Sequence, residues 1–290
     1  MTKQQARVMV VSMVASLVAT SCSSSGTPRS FEAQPHKTEV SEPVAGTSHE
    51  RSAPNDASDC QAPVVALDPG HNPVQIEAFD PETGAAMIDY PNGAEGANVM
   101  AVANNVKEAL SNAGYTAVLL KNSVDESVSY RERVNRADQA GADLAVSIHT
   151  DINNASVFVQ RVGLYREGTA AQGKHVRVEF TNGETAAKSE RYGNVIAKKR
   201  SEVEGRTVSV VDNDFGGRAP LWSGNIPIIM LISENVPWVY NEFGLPGKGG
   251  SVPIGDEGIA LYSESLTKGI EAALPNACTK SSSTSSAPPT

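Results

Sequence analysis

Short apolar runs alternate with longer segments of helical spacing over most of the chain. The stretches "PVVALD", "YTAVLL", "ADLAVSIH" and "IPIIMLISEN" are continuous apolar runs of strand length. Between them, apolar residues recur every three or four positions, as at Val99, Val102, Val106 and Leu110, with Gly114 after the last of them. The alternation predicts strands that are connected by helices.

The predicted helices carry polar residues on one face and apolar residues on the other. They are "EGANVMAVANNVKEALSNAG", "SYRERVNRADQAG", "ETAAKSERYGNVIAKKRSEV" and "GIALYSESLTKGIEAAL", and "GLYR" and "VRVEFT" are candidate additional strands. Alternating strands and helices are typical of a layered α/β domain with a largely parallel sheet. Ligand sites in such sheets form beyond the carboxyl ends of the strands. His71 follows the turn after the first strand, and His149 ends "ADLAVSIH".

The N-terminus has the composition of an export signal. Residues 1–21 place Lys3 and Arg7 before the apolar run "VMVVSMVASLVA", which is too short for a comfortable membrane span. Cys22 stands where a bacterial lipoprotein signal has its lipidated cysteine, although Ala19 replaces the usual leucine. Lipidation at Cys22 and cleavage without lipidation therefore stay open.

Residues 22–59 and 280–290 are rich in Ser, Thr and Pro and lack apolar periodicity, so we expect a disordered tether and a disordered tail around one domain at 60–279. Loss of the signal's two positive charges takes the net charge from −9 to −11. A chain this acidic has no basic tract to neutralise phosphates, which excludes nucleic acid as an expected partner. We expect membrane contact only through a lipid anchor at Cys22.

Two cysteines enclose the patterned region. Cys60 precedes the first predicted strand, and Cys278 follows the last predicted helix. In an oxidising compartment such a pair favours a disulfide, with two separate thiols as the alternative.

His71 and His149 are candidates for one metal site, because the carboxyl ends of parallel strands meet at one edge of a sheet. Imidazole is a common metal ligand, and two histidines with a carboxylate and an open position form a recurring catalytic zinc set. Glu95, at the start of the first predicted helix, is the candidate third ligand. Each residue also has a structural explanation, as a hydrogen-bonded histidine or as a carboxylate stabilised by the helix dipole.

Several stretches together resemble the zinc-dependent N-acetylmuramoyl-L-alanine amidases of the Amidase_3 type. They are "VVALDPGHN", Glu95 opening a helix, "SYRERVNRADQAGADLAVSIHTDIN" and "YSESLTKGIEAAL", over roughly residues 62–274, in a form similar to single-domain actinobacterial members. The resemblance implies a three-layer sandwich with a mixed, mostly parallel six-stranded sheet flanked by helices. It further implies one Zn²⁺ held by His71, Glu95 and His149, and hydrolysis of the amide between the lactyl group of N-acetylmuramic acid and L-alanine.

The family's general base is a glutamate in a late strand that reads roughly Pro-x-x-Leu-Val-Glu-Leu-Gly. Counting from Pro227 without gaps, this glutamate falls on Ile232, and the nearest acid is Glu234. Glu234 would share the strand face of Ile232, about 7 Å further along. We predict Glu234 as the base, with Asp151 and Asp214 as the next candidates.

The segment "DNDFGGRAPLW" contains Gly217, Arg218, Leu221 and Trp222, which suit a groove for a glycan-peptide. Arg218 is the candidate ligand for a stem-peptide carboxylate, with a solvated loop arginine as the alternative. His175 has no counterpart in the family, and we expect it at the surface or in the substrate wall.

These observations predict a monomeric amidase, exported to the cell envelope or secreted, that acts on the stem peptide and glycan of peptidoglycan. The alternative is a wall-binding protein of the same fold with little or no turnover, which the displaced glutamate motivates.

Overall fold

The computed structural model of the protein describes residues 60–150, 155–214, 222–244 and 254–278. All of them belong to one compact unit, Asn55–Thr290. The predicted export signal, the tether, Cys22, Arg218 and the tail lie outside the described residues. Within the described part of the chain, no helix combines the length and the hydropathy needed to cross a bilayer.

The described residues form eleven strands and five helices. The strands are β1 (Val64–Pro69), β2 (Ile76–Phe79), β3 (Ala86–Asp89), β4 (Thr116–Leu119), β5 (Leu144–Thr150), β6 (Ser156–Val159), β7 (Tyr165–Thr169), β8 (His175–Glu179), β9 (Ser209–Val210), β10 (Ser223–Gly224) and β11 (Trp238–Phe243). The helices are α1 (Gly93–Asn112), α2 (Tyr130–Gln139), α3 (Gly183–Glu204), α4 (Ile228–Leu231) and α5 (Gly255–Ala273).

A six-stranded sheet in the order β4-β1-β5-β11-β6-β9 forms the centre of the domain. β1 runs parallel to β4 and β5, β11 runs parallel to β5, and β9 runs parallel to β6. The pairing of β11 with β6 is antiparallel. The predicted mixed, mostly parallel six-stranded sheet is confirmed.

Helices cover both faces of this sheet, and each face has its own apolar core. The apolar residues of α1 and α5 and most of those of α3 pack on one face, and those of α2 and α4 pack on the other. Val99, Val102, Val106 and Leu110, whose spacing predicts the first helix, are all fully buried in the first of these cores. Burial of one helix face against a sheet is the main source of stability for such helices.

Polar caps set the ends of two helices. The Ser129 side chain accepts a hydrogen bond from the Glu132 backbone N–H at the start of α2, and Asn182 does the same for two N–H groups at the start of α3. α3 ends at Gly205, whose left-handed backbone (φ 64°) suits glycine. Local sequence therefore defines the residue at which α2 begins. This helix contains Arg133, which contacts the candidate site.

Two smaller sheets lie outside the central one. β2 and β3 form an antiparallel pair, and β7 lies between β10 and β8 in an antiparallel three-stranded sheet. The predicted strands "GLYR" and "VRVEFT" overlap β7 and β8, so both strands are confirmed.

The prediction of a strand at "IPIIMLISEN" is wrong. Ile228–Leu231 form the short helix α4 after Pro227, and the next strand is Trp238–Phe243. All four residues of α4 are buried, and they pack near α2, β7 and β11. A short apolar run fits a buried helix as well as a buried strand, so periodicity alone did not distinguish them.

A disulfide joins Cys60 and Cys278, with Cα atoms 5.5 Å apart and a sequence separation of 218. The bond links a residue four positions before β1 to a residue five positions after α5. Such a bond restricts the unfolded chain far more than the folded one.

Replacing both cysteines by serine should lower the free energy of unfolding by about 5 kcal/mol, on the chain-entropy model for a loop of this length. Chemical denaturation of the wild type and of the Cys60→Ser, Cys278→Ser double variant measures the difference. Ellman titration of the denatured, unreduced wild type should find no thiol beyond that of Cys22. Equal unfolding midpoints for the two proteins would contradict the prediction.

Candidate metal centre

The turn after β1 presents His71 at the edge of the sheet. His71 has a left-handed backbone (φ 59°), which is uncommon for a residue other than glycine. Its carbonyl oxygen accepts hydrogen bonds from Lys121 Nζ at 2.6 Å and from Arg133 Nη2 at 3.0 Å. Both cations are buried, so contacts from Lys121, two positions after β4, and from Arg133 of α2 hold the histidine in this conformation.

Arg133 also ties the turn to the sheet. Its Nη1 donates to Asp68 Oδ1 at 2.8 Å and to the Pro69 carbonyl at 2.9 Å. Asp68 Oδ2 in turn accepts a hydrogen bond from Ser147 Oγ on β5 at 2.7 Å. The network connects the stretch "DPGH" to "RVNRADQAGADLAVSIH", and it explains why the two stretches occur together.

His149 lies near the carboxyl end of β5, and its side chain is buried against two neighbours. Its ring stacks on Tyr240, with centroids 4.4 Å apart and an interplanar angle of 12°. The other neighbour is the Gly70 backbone, where an added Cβ would lie 2.2 Å from the imidazole. Gly70 is therefore required for the position of His149.

Gly70→Ala should reduce metal affinity by about 10- to 100-fold, the usual cost of disturbing the surroundings of a ligand, because the new methyl group displaces the His149 ring. Elemental analysis and titration with metal measure the effect. Gly96→Ala is a matched control beside Glu95, because its Cβ would meet only Val124 at 4.0 Å. Full metal affinity in Gly70→Ala would show that His149 is not held there.

Glu95 lies between the two histidines, in the first turn of α1. Its Oε2 is 3.0 Å from His71 Nε2, and its Oε1 is 3.2 Å from His149 Nδ1. The carboxylate also accepts hydrogen bonds from the Thr150 backbone N–H at 2.8 Å and from Asn92 Nδ2 at 2.6 Å. These contacts fix a buried carboxylate at the carboxyl ends of β1 and β5.

The charges of the three groups depend on one another. Burial lowers the pKa of His71, but hydrogen bonds to Asp89 and Glu95 outweigh it and raise this pKa to about 10. Burial raises the pKa of Glu95, but hydrogen bonds with His149 and His71 bring it well below the ordinary value. Burial lowers the pKa of His149. The carboxylate is thus ionised at neutral pH and faces two imidazoles.

One ligand atom from each of His71, Glu95 and His149 lies within 4.8 Å of the other two, so the cluster could hold a metal ion. His71 Nδ1 lies 2.8 Å from the Tyr90 carbonyl and donates to it, which leaves Nε2 directed at Glu95. The structure thus brings together all three predicted metal ligands.

The cluster opens into a cavity of about 320 Å³. One part of its wall is polar and includes Asp89 and Arg166. Another part is apolar and is formed by Phe158, Ile228 and Ile229. The cavity can therefore receive a ligand with both polar and aliphatic parts.

Residues 65–244 match the family model Amidase_3, described as N-acetylmuramoyl-L-alanine amidase, over more than half of the chain. The chain belongs to this family.

A named relative is similar to part of this chain in sequence. The chain is 37% identical over 105 residues to N-acetylmuramoyl-L-alanine amidase AmiA of Escherichia coli K12, a match that covers 36% of this chain and 33% of AmiA. The match thus spans about a third of the length of that relative.

The amidase Ami1 from Mycobacterium smegmatis has a similar structure, with a TM-score of 0.50, 17% identity, and coverage of 74% of this chain and 98% of Ami1. The catalytic domain of CwlV from Bacillus (Paenibacillus) polymyxa aligns with a TM-score of 0.46 and 18% identity over 74% of this chain and 99% of that domain. The likeness to Ami1 shows a shared fold.

Glu234 is not brought to the metal cluster. It follows α4, is exposed, and lines a different pocket together with Arg131 and Asp138. Because β11 begins only at Trp238 and runs toward the cluster, Glu234 lies before the amino end of this strand. The strand on which its assignment as the base depended is absent at that position.

Glu242 occupies the place in which the family signature expects a glutamate. It lies in β11, directly opposite His149 of β5, and it lines the cavity that contains the cluster. Arg200, which is fully buried, donates to the Glu242 carbonyl at 2.9 Å and to Asn241 Oδ1 at 3.1 Å, which anchors this end of β11.

A sequence signal for Glu242 was available. The stretch "PWVYNEFG", from Pro237 to Gly244, matches the Pro, Glu and Gly of the signature without a gap. The run upstream is more apolar, so the apolar pattern favours that run as the buried strand instead.

The remaining candidates have different outcomes. Gly217, Arg218, Leu221 and Asp151 lie outside the described residues, and Asp214 is not among the described residues that line the cavity.

The predicted groove role of Trp222 is wrong: the side chain is buried under Gly168, and its Nε1 donates to the Thr169 carbonyl at 3.2 Å. His175 is exposed beside Glu167, which confirms the expectation of a surface residue.

Proposed function

We propose that the protein is an exported, zinc-dependent amidase that cleaves the bond between the lactyl group of N-acetylmuramic acid and L-alanine in peptidoglycan. The observation that carries the proposal is one cavity that contains the cluster of His71, Glu95 and His149 together with Glu242. Membership in the Amidase_3 family supports it.

Zinc fits the donor set. Two imidazole nitrogens and one carboxylate oxygen are a recurring ligand set of catalytic zinc, and bond lengths of 2.0–2.2 Å in a tetrahedron put ligand atoms about 3.3 to 3.6 Å apart. The oxygens of Glu95 lie 3.0 Å from the His71 nitrogen and 3.2 Å from the His149 nitrogen. Only small movements would bring the three side chains onto one ion.

The reaction requires a polarised carbonyl, an activated water and a proton for the leaving amine. Zinc, when bound, supplies a Lewis acid for the carbonyl oxygen and lowers the pKa of water. The hydrogen bond from His71 Nδ1 to the Tyr90 carbonyl keeps the imidazole oriented.

Glu242 is our proposed general base. Its carboxylate takes the proton of the attacking water and passes it to the nitrogen of L-alanine. Cleavage of the carbon–nitrogen bond then releases the lactyl carboxylate and a free amino terminus on the stem peptide. The position of Glu242 on β11, directly opposite His149, supports this role.

The N-terminal residues support an extracytoplasmic location. Residues 1–21 have the order of an export signal, and the disulfide Cys60–Cys278 suits an oxidising compartment. Lipidation at Cys22 would hold the protein on the outer face of the membrane, and cleavage without lipidation would release it. The intact mass of the protein extracted from membranes distinguishes the two.

Digestion of purified cell walls tests the proposed activity. Zinc-loaded protein should release soluble stem peptides whose new amino terminus is L-alanine, and protein stripped of metal should not. Binding to the walls without release would favour the wall-binding alternative. The wall-binding alternative was motivated by a displaced glutamate, and the position of Glu242 in the same cavity as the cluster supports hydrolysis over it.

A further inference from the structure

Arg166 is a buried cation in the wall of the metal-containing cavity. It lies on β7, and its exposure is only 3%. Its Nη1 lies 3.5 Å from the Ile226 carbonyl, at the outer limit of a hydrogen bond. Burial lowers its pKa to about 10, which still leaves the guanidinium charged at neutral pH. The mechanism above does not use this charge.

The local backbone is built around the Arg166 side chain. Gly224 of β10 pairs with Arg166, and an added Cβ at Gly224 would lie 2.9 Å from both Cα and Cδ of the arginine. Next to this pair, the Tyr165 backbone N–H donates to Asn225 Oδ1 at 2.8 Å, and the Asn225 N–H donates to the Tyr165 carbonyl at 3.0 Å. These contacts fix where the arginine leaves the strand.

The chemistry around Arg166 favours an anionic ligand with an aliphatic part. Among the described residues that line the cavity, Arg166 is the one arginine or lysine. The same wall includes Pro227, Ile228 and Ile229, which offer an apolar surface. A forked guanidinium binds carboxylates through two parallel hydrogen bonds, and burial strengthens the interaction.

Stem peptides of peptidoglycan carry such a group close to the scissile bond. Their second residue is D-glutamate linked through its γ-carboxyl group, so its α-carboxyl group is free or amidated. One residue of extended chain spans about 3.5 Å, so this group lies only about two residue lengths from the scissile amide.

We propose that Arg166 binds the α-carboxylate of this D-glutamate and thereby selects stem peptides in which it is not amidated. The inference rests on the proposed function, because it takes its ligand from the same substrate. It assigns to β7 and β10 the recognition of the peptide on the leaving side of the bond.

Two ligands that differ only at this group test the proposal: N-acetylmuramoyl-L-alanyl-D-glutamate and its α-amide, N-acetylmuramoyl-L-alanyl-D-isoglutamine. Their dissociation constants are measured by calorimetry with zinc-loaded Glu242→Gln protein, so that neither is consumed. We expect the acid to bind about 10- to 100-fold more tightly than the amide, the worth of one hydrogen bond to a charged group.

Adding Arg166→Gln to this protein should remove the preference by weakening the acid, with little change for the amide. Arg177→Gln is the matched control, because Arg177 is an exposed arginine on the neighbouring strand β8 that pairs with Glu167 and Glu179. It should leave the ratio of the two constants unchanged. Arg166→Lys should reduce the ratio severalfold, because lysine keeps the charge without the fork.

Equal weakening of both ligands by Arg166→Gln would assign the arginine a structural role and overturn the proposal. No preference in the protein with Arg166 intact would overturn it as well. If Arg166→Gln does not fold, an unchanged ratio in Arg166→Lys has the same meaning. A clear preference in binding, with no cleavage of either ligand by the wild type, would support the carboxylate site and refute the hydrolysis instead.

Discussion

His71→Ala and His149→Ala should each lose most of the zinc that the purified wild type binds at about one ion per chain. The physical reason is that each imidazole supplies one of three protein ligands, and both lie within about 3 Å of the Glu95 carboxylate. Substitutions of residues around a metal ligand usually reduce metal affinity by about 10- to 100-fold, and the loss in these two variants should be larger. Elemental analysis after dialysis, with titration of the stripped proteins, measures it.

The control for this experiment is His175→Ala, which removes an exposed histidine on β8. This variant should keep its zinc. Glu95→Ala should also weaken binding, by less than the histidine variants if water replaces one carboxylate oxygen. Full zinc occupancy in both histidine variants would refute the ligand assignment.

Glu242→Gln should lower the rate of hydrolysis by about 10² to 10⁴ while zinc content and fold are retained. Glutamine keeps the shape of the side chain and removes the capacity to accept the proton of water, and general-base catalysis contributes an effect of this size. Release of stem peptides from cell walls is followed at saturating substrate. Zinc content is measured on the same samples, because a variant that had lost its metal would imitate one that had lost its base.

Glu234→Gln is the matched control, since it makes the same substitution eight positions earlier at an exposed residue outside the cavity. It should cleave at the wild-type rate. A slow Glu234→Gln together with a normal Glu242→Gln would restore the base that the apolar pattern around Pro227 suggested. Two normal variants would show that another acid accepts the proton.

The three residues of the candidate metal cluster were predictable from the sequence. His71 follows the turn after one apolar strand and His149 lies at the end of another, and parallel strands bring their carboxyl ends to one edge of the sheet whatever the details of packing. Glu95 opens the helix that follows the first of these strands, so it begins at that edge too. Periodicity and residue type were therefore enough for β1, β4, β5, the four longer helices and the candidate metal cluster. The six-stranded sheet and the chemistry came from the resemblance to a family.

The position of the proposed base depended on tertiary structure. The run around Ile228–Leu231 is apolar throughout, and such a run is buried equally well as a helix or as a strand. Packing near α2 and β11 makes this run a helix. The strand is therefore Trp238–Phe243, and the glutamate that it contains is Glu242 rather than Glu234.

The conformation of His71 and the place of Arg166 were also beyond the reach of local sequence. The carbonyl of His71 is held by Lys121 and Arg133, which lie 50 and 62 positions further along the chain. Arg166 enters the cavity through a small sheet whose third strand, at Ser223–Gly224, follows a long intervening helix. The sequence by itself determined β1, β4, β5, the four longer helices and the sheet edge at which the candidate ligands gather, because these follow from local periodicity. Only tertiary structure decided which acid and which cation line the cavity of the candidate metal cluster, because contacts between residues distant in the chain set those positions.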